Sequence, residues 1–554
     1  MRYVQLTLAL SASFFLHGYV AADEPCLILV DTGEYSRHWK AYRLDAIKRY
    51  GLEKRLSPEQ KEYYAAPPYY SFQGEQAEEQ PTGMAYYVRT SSDVEKYRFK
   101  LVKNESVYEQ FVADELARRG EEATVVGTGR KRTLKAPPYI QTVPQRDGTT
   151  RKVTVNRGDF RIAYAEGILA YGQTAHDAPL ANIRRHVRAA KGSHWYLRYR
   201  PMQVPKKWRA ALLKEIQKST GVSFQQLDNE ADVAHQMRRS IGESYFELIR
   251  VMLFDVEEIT AWSKLPKGRD GYKFRVMIKA RQKSELAKLI SELGPGRSIV
   301  VGQGENVIAQ LLLNLTIPAK FRPVFHSIVE NSPLAASAEA INQAIAMGHV
   351  AGAATLQEND SQNVMLTGRV QLDLGAENLA EVGKVLGGSH GPEPDSVNWP
   401  VSPEISNEKF GKHTLKVASV DRELLFVVAP ADVVPKLQPP LLQRGQSRNR
   451  VLLRLSGDLS TWVRRDEDAP SSEIFGKLES IFMRSRGITR EQMFARMMGQ
   501  PEPVVEYTSL RANGPRDGDW SFAANLKTGR DTVTFDFTAG KELHDFVLVR
   551  SKFN

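Results

Sequence analysis

A chain of 554 residues with 42% hydrophobic content is long enough to form three or four domain-sized units, each with its own core. Its single cysteine, Cys26, excludes an intrachain disulfide, so burial of apolar surface must hold the fold together. The formal net charge of +11 is unevenly placed: residues 129–217 carry 19 Lys plus Arg against 5 Asp plus Glu, whereas the remainder carries 57 against 60. The whole basic excess therefore lies in one segment.

The N-terminus, residues 1–22, predicts a secretory signal peptide. Arg2 precedes an apolar run from Tyr3 to Val20, and small residues lead up to a cleavage point near Ala22. We therefore expect an exported protein, periplasmic or extracellular, with an uncleaved anchor as the alternative. The residues before Cys26 do not form a lipoprotein box. Beyond the signal segment no run reaches the ~18 apolar residues that a membrane helix needs, so no other transmembrane span is expected.

Residues 23–157 predict an N-terminal region with one helix and a basic linker. Up to about Pro81 the chain is polar and rich in tyrosine, which predicts partly extended and poorly packed structure. Asn104 is a suitable N-cap, and Gly120 a suitable end, for a helix. The apolar positions of this helix are Tyr108, Phe111, Val112 and Leu116. Residues 130–155 predict a basic linker or a long hairpin loop.

Residues 158–295 predict a first α+β unit. Two short strands flank Glu166-Gly167 and indicate a hairpin, because glycine tolerates the dihedral angles of such turns. Farther on, apolar residues alternate with cations from Tyr272 to Ala280, which predicts a half-buried antiparallel strand. An amphipathic helix follows, with Ser284 as its N-cap and Gly294-Pro295 as its end.

The same order of elements recurs at 411–554, which we interpret as a second α+β unit. Three pairs of unlike residues support the alignment, with spacings close to 255: Asp177 and Asp432, Leu197 and Leu453, Trp208 and Trp462. Residues 296–390 predict a shorter related unit, and 391–410 a Pro-rich linker. The predicted fold class is α+β, with repeated units of antiparallel strands and amphipathic helices packed on one face.

The basic segment contains the candidate ligand-binding residues. On the strand near Trp195, alternation places Tyr196, Arg198 and Arg200 on one face, which we expect to point outward and to suit stacking and anion contacts. The alternative is an ordinary solvated face with a basic linker. The full candidate set is Tyr196, Arg198, Arg200, Arg184, Arg185, Lys206 and Lys207.

Catalytic signatures were sought and none was found. The chain has no G-x-S-x-G or H-E-x-x-H motif, no cysteine-nucleophile signature and no complete phosphate or dinucleotide loop. We expect no catalytic residue, metal site or cofactor. His176 is a weak catalytic candidate, because the second unit has Ala431 at the corresponding position.

These observations favour an exported, non-enzymatic, repeat-domain protein that acts as an envelope-associated or extracellular binding or scaffold protein. Its cationic face would hold an anionic partner, either a polymer or an envelope surface, while nucleic acid is disfavoured. One alternative is a hydrolase acting on an anionic polymer, with a site built from distant residues. Another is an envelope protein that handles lipid or lipoprotein.

Overall fold

The computed structural model describes part of the chain. The described ranges are 24–32, 44–45, 47–48, 52–54, 57–58, 61, 82–90, 93–120, 122–144, 150–156, 158–221, 226, 232–266, 271–293, 299–301, 307–323, 326, 342, 346, 348–358, 364–372, 389–391, 404–407, 411–420, 423–430, 442–444, 451–460 and 518–545. The sequence also predicts helices at 334–346 and 474–482 and a strand at 504–510; apart from residues 342 and 346, these lie outside the described ranges, as does most of the Pro-rich linker.

The chain divides into two compact units that are discontinuous in sequence. Unit one comprises Met1–Lys40, Ala66–Lys218 and Met252–Leu265. Unit two comprises Ala41–Ala65, Ser219–Val251 and Pro266–Asn554. The domain bounds expected from the sequence remain predictions.

Unit one is built mainly from antiparallel strands. Its strands are β1 (Leu27–Asp31), β2 (Thr82–Thr90), β3 (Asp93–Leu101), β4 (Thr124–Val126), β5 (Lys131–Lys135), β6 (Tyr139–Pro144), β7 (Thr150–Val155), β8 (Phe160–Ala165), β9 (Ile168–Gly172), β10 (Trp195–Tyr199) and β11 (Val256–Lys264). Nine of them form one sheet in the order β11-β10-β1-β2-β3-β9-β8-β5-β4. β6 and β7 pair only with each other among the described strands.

The described helices are α1 (Glu105–Arg119), α2 (Leu180–Ala189), α3 (Lys206–Gly221), α4 (Asp232–Phe254) and α5 (Glu285–Glu292). The caps of α1 follow the sequence prediction: the Asn104 side chain accepts a hydrogen bond from the amide of Val107, and Gly120 is the C-cap. α5 likewise begins at Ser284, whose hydroxyl accepts from the amide of Ala287 at 3.2 Å.

Helices cover both faces of the unit-one sheet. Ile168 packs in a cluster with Ile183 of α2, whereas its neighbour Leu169 packs in a cluster with Tyr108 of α1. Because successive residues of a strand point to opposite faces, α1 and α2 lie on opposite sides of this sheet. The expectation of helices on one face is therefore not met in unit one.

The prediction that residues 23–81 are poorly packed is wrong for β1. It pairs with β2 on one edge and β10 on the other, and Ile28 and Val30 are fully buried. A strand with helices over both faces of its sheet needs apolar residues at every position, so its sequence is a continuous apolar run without alternation. The run from Cys26 to Val30 fits that requirement.

Unit two contains the remaining strands: β12 (Tyr272–Ala280), β13 (Ile299–Val301), β14 (Val307–Thr316), β15 (His349–Glu358), β16 (Val364–Leu372), β17 (Ser389–Gly391), β18 (Glu404–Asn407), β19 (Gly411–Val420), β20 (Glu423–Pro430), β21 (Leu442–Arg444), β22 (Val451–Asp458), β23 (Ser521–Thr528) and β24 (Thr532–Ala539). Its main sheet has the antiparallel order β12-β24-β23-β22-β14-β15-β16-β20-β19. β17 and β18 both pair with β19, β17 in parallel, and β13 pairs with β21.

The strand orders of the two sheets can be compared directly. Unit one contains the run β11-β10-β1-β2-β3-β9-β8, and unit two contains the run β23-β22-β14-β15-β16-β20-β19. In each, a hairpin lies at one end, three strands that precede it in the chain lie in the middle, and two later strands lie at the other end. The described molecule is thus a mainly antiparallel α+β protein.

Candidate functional site

β10 carries two of the predicted ligand-binding residues, Tyr196 and Arg198, and Arg200 follows directly after it. Tyr196 is only 9% exposed and packs in the cluster that contains Val30 of β1 and Ile183 of α2. The face shared by Tyr196, Arg198 and Arg200 is therefore the face that α2 covers. The prediction that Tyr196 points outward is wrong. Alternation shows which side chains share a face of the strand, but not whether that face is exposed to solvent.

Two carboxylates hold the guanidinium groups of Arg198 and Arg200. The Glu258 Oε2 atom accepts hydrogen bonds from Arg198 Nη2 at 2.8 Å and from Arg200 Nε at 3.0 Å. A second carboxylate, that of Glu24, lies 3.7 Å from Arg198 Nη1 and 3.8 Å from Arg200 Nη1. The predicted cationic pair is thus ion-paired within its own unit.

α2 adds further charges to the same network. Arg185 forms an ion pair with Glu24, and His186 Nε2 lies 3.1 Å from Glu24 Oε2 with a side chain only 3% exposed. Arg184 does not join it, because its guanidinium pairs with Glu166 at 2.7 Å on the exposed surface. We define the β10 network as Glu24, Arg185, His186, Arg198, Arg200 and Glu258.

The charge states in the β10 network follow from burial and from the arginines. Burial opposes ionisation of Glu258, but hydrogen bonds from Arg198 and Arg200 outweigh it and lower its pKa. Burial, followed by the charges of Arg198, Arg185 and Arg200, lowers the pKa of His186 to about 4. At neutral pH the Glu258 carboxylate is therefore ionised, and the imidazole of His186 is neutral.

Lys206 and Lys207 differ from the β10 arginines because both are exposed in the first turn of α3. Arg209, in contrast, is buried. Its guanidinium donates to the carbonyl of Val204 at 3.0 Å and to that of Leu253 at 2.8 Å. The predicted basic segment therefore mixes exposed cations with cations that hold the fold together.

A second group of cations lies in the segment that the sequence predicts to be a basic linker or a long hairpin loop. Residues 130–157 contain eight Lys or Arg and one Asp, and their described part forms β5 and the two-stranded sheet β6–β7. Within the described ranges no ion pair involves any of five exposed members of this group, which we call the ribbon cations: Arg130, Lys131, Lys135, Arg151 and Lys152. The excess of Lys and Arg over Asp in residues 130–157 is the sequence signal that could have identified the ribbon cations.

The nearest arrangement to a catalytic pair is Ser263 with His194. Ser263 Oγ lies 2.9 Å from His194 Nδ1, but Ser263 is fully buried and burial lowers the pKa of His194 to about 4. A hydroxyl with no exposed surface cannot reach a substrate, so we interpret the pair as structural. His176 also has a structural contact, to the backbone carbonyl of Arg132 at 3.0 Å.

The described ranges show no metal cluster and no membrane-spanning helix. There, no group of three or more His, Cys, Asp or Glu side chains is arranged to hold a metal ion. The described helices include none with the length and apolar character required to cross a bilayer.

No protein-family model matches the chain, and neither does any curated protein or any solved structure. The function is therefore inferred from the charges and exposed surfaces of unit one.

Proposed function

We propose that this is an exported, non-enzymatic binding or scaffold protein whose cationic surface in unit one holds an anionic polymer or an anionic envelope surface. The observation that supports the proposal is the group of five ribbon cations, exposed and without an ion pair in the described structure. Such a group creates a positive field that attracts and retains anions.

The ribbon cations are suited to binding because the fold does not use their charge. Arg151 and Lys152 are exposed and adjacent on β7, and residues 130–157 contain one Asp and no Glu. Like charges held close together repel one another and lower the stability of the folded state. An anionic partner relieves this repulsion while it gains contacts to the guanidinium and ammonium groups.

The predicted site residues divide under this proposal. Lys206 and Lys207 add to the positive field of unit one, because they are exposed and no described ion pair involves them. Arg198 and Arg200 stabilise the fold through Glu24 and Glu258, and Tyr196 contributes to the core. Arg184 and Arg185 are partly exposed cations, each with a carboxylate partner.

Export is the second part of the proposal. Glu24 lies two residues beyond the predicted cleavage point at Ala22, and its carboxylate joins the β10 network. Cleavage there leaves this carboxylate and all of β1 in the mature chain. Mass spectrometry of the secreted protein should find Asp23 at the N-terminus. A mature chain that begins after Leu27 would contradict the proposal, because it lacks part of a central strand.

We also propose that the two sheets are copies of one module, with different bounds from those expected from the sequence. The supporting observation is the shared strand order, in which β14, β15 and β16 occupy the places of β1, β2 and β3. One copy would then run from 27 to 264 and the other from 307 to 528. Superposition of these two regions strand by strand would support the proposal, and unrelated chain paths would contradict it.

A heparin column tests the anion-binding proposal with the chain from residue 23. We expect retention at low salt and elution as salt rises, because salt screens exposed charges. Replacing two ribbon cations, Arg151→Gln with Lys152→Gln, should lower the elution salt clearly. The matched control is Arg239→Gln with Lys288→Gln, which removes the same charge from exposed positions of unit two, 63% and 78% exposed.

Retention that is absent, or that both pairs of substitutions lower equally, would contradict the proposal. The first result would mean that the ribbon cations bind no polyanion. The second would mean that total charge, and not the surface of unit one, determines retention.

A further inference from the structure

Exposed aliphatic side chains occur in the same stretch of sequence as the ribbon cations. Among the described residues, the exposed large hydrophobic side chains include four between 124 and 155, namely Val125 at 39%, Val126 at 49%, Ile140 at 67% and Val153 at 38% exposed. A single exposed aliphatic side chain needs no explanation, but four in one short and strongly basic stretch do.

The two-stranded sheet β6–β7 places an aliphatic and a cation together on each face. Ile140 lies opposite Thr154, and Thr154 shares a face with Lys152 because it is two residues away. Val153 shares the other face with Arg151 for the same reason. Neither face is therefore purely polar or purely apolar.

The hairpin β4–β5 repeats this combination. Val125 and Val126 are exposed on β4, and Arg130 and Lys131 are exposed where the chain enters β5. β4 pairs only with β5 among the described strands, so it lies at the end of the unit-one sheet. We define the ribbon surface as the exposed cations and aliphatics of residues 124–155.

We propose that the ribbon surface binds the surface of an anionic lipid bilayer. This inference rests on the function proposed above and names its partner. Cations attract the phosphates of anionic lipids, and aliphatic side chains gain free energy when they enter the boundary between headgroups and acyl chains. A soluble polyanion offers the aliphatics no apolar phase, so their presence beside the cations favours a membrane.

Vesicle sedimentation tests both parts of the ribbon surface with the chain from residue 23. We expect binding to vesicles that contain phosphatidylglycerol and much weaker binding to phosphatidylcholine alone. Arg151→Gln with Lys152→Gln should lower the partition coefficient about 30-fold, the effect of two juxtamembrane cations. Ile140→Ser with Val153→Ser should lower it about tenfold.

The matched control for the aliphatics comes from unit two. Leu311 and Leu455 pair across β14 and β22, and each is 38% exposed, as Val153 is. Leu311→Ser with Leu455→Ser should leave the partition coefficient unchanged. An equal loss in this control would overturn the assignment to the ribbon surface.

The single cysteine allows a direct measurement of insertion. Cys26 is fully buried, and burial raises the pKa of its thiol to about 12, so it does not react with labels in the folded protein. A thiol introduced as Val153→Cys or as Leu455→Cys can therefore be labelled selectively with an environment-sensitive fluorophore. On phosphatidylglycerol vesicles the label at 153 should shift to the blue, and the label at 455 should not.

The outcomes separate this inference from the proposed function. Retention on heparin without binding to vesicles, or vesicle binding without a shift at 153, overturns the membrane inference and leaves the anion-binding function intact. Absence of both heparin and vesicle binding overturns both. Vesicle binding with a shift at 153 alone supports the inference.

Discussion

Two groups of cations from the same basic segment have opposite environments in unit one. Arg198 and Arg200 of the β10 network lie between two carboxylates, whereas Arg151 and Lys152 of the ribbon surface are exposed and take part in no ion pair within the described chain. The sequence alone suggested the reverse, because β10 interleaves cations with aromatics. Availability for binding depends on partners that are remote in sequence.

The energetic roles of the two groups differ accordingly. A partly buried guanidinium that loses its carboxylate remains desolvated and uncompensated, which costs several kcal/mol. An exposed cation contributes about 0–1 kcal/mol to folding. Substitutions in the β10 network should therefore change stability, and substitutions in the ribbon surface should change binding.

Acidification should produce the largest effect. The pKa values of His186 and His194 are lowered to about 4, so the unfolded chain binds protons near pH 6.5 while the folded chain does not. Stability of unit one therefore falls as pH drops from about 6.5 to about 4, by about 2 kcal/mol per histidine at about pH 5. The lowered pKa of Glu258 adds a further loss below its unfolded value.

Urea titrations at about pH 7 and about pH 5 test this expectation. His186→Gln removes one of the two titrating histidines and should reduce the loss of stability between these pH values by about 2 kcal/mol. An unchanged pH dependence in this variant would mean that His186 is not held neutral by the β10 network.

Removal of one network carboxylate should have the next largest effect. Glu258→Gln leaves Arg198 and Arg200 with Glu24 alone, which should lower the free energy of unfolding by about 2–3 kcal/mol. This is less than for a fully buried pair, because the Glu258 side chain is 18% exposed. The control is Glu243→Gln, which breaks an exposed pair with Arg239 and should change stability by less than about 0.5 kcal/mol. Equal losses would contradict a structural role for the network.

Substitution of the ribbon cations should weaken binding and leave stability nearly unchanged. Arg151→Gln with Lys152→Gln should weaken binding to phosphatidylglycerol vesicles by about 30-fold, or about 2 kcal/mol. The free energy of unfolding should stay within about 0.5 kcal/mol of the parent value. A large loss of stability in this variant would show that these cations serve the fold and would remove the contrast with β10.

Lys206→Gln with Lys207→Gln should have the smallest effect. These lysines are exposed, but the residues beside them include buried Trp208 and Arg209 and no exposed aliphatic side chain. They contribute only a long-range field, which salt screens over about 10 Å. We expect a loss in vesicle binding of about threefold at low salt, and none at high salt. A loss as large as that of Arg151→Gln with Lys152→Gln would place these lysines at the binding surface itself.

Local signals in the sequence were sufficient for several elements. The strand predicted from Tyr272 to Ala280 has those bounds in the structure, and Ser284 and Asn104 cap helices as predicted. The hairpin at Glu166-Gly167 also forms, with positive φ at both residues. Each of these features depends on neighbours within a few residues, which is the information that periodicity and capping rules contain.

The site could not be derived in the same way, because its partners are distant. Glu258 reaches Arg198 from 60 positions away in sequence, and no local pattern links the two. β1 was missed because a short apolar run lacks the alternation of a half-buried strand. The ribbon cations were visible as a charge excess, but their exposure became apparent only once β6 and β7 were paired.

Chemical footprinting of arginines by mass spectrometry, with heparin as the polyanion, tests the central claim most directly. We predict that Arg151 reacts with phenylglyoxal in the unbound protein and is protected by heparin, while Arg198 and Arg200 are unreactive in both states. Reactive Arg198 and Arg200 that heparin protects, with Arg151 unaffected, would contradict the assignment of binding to the ribbon surface and of the β10 network to the fold.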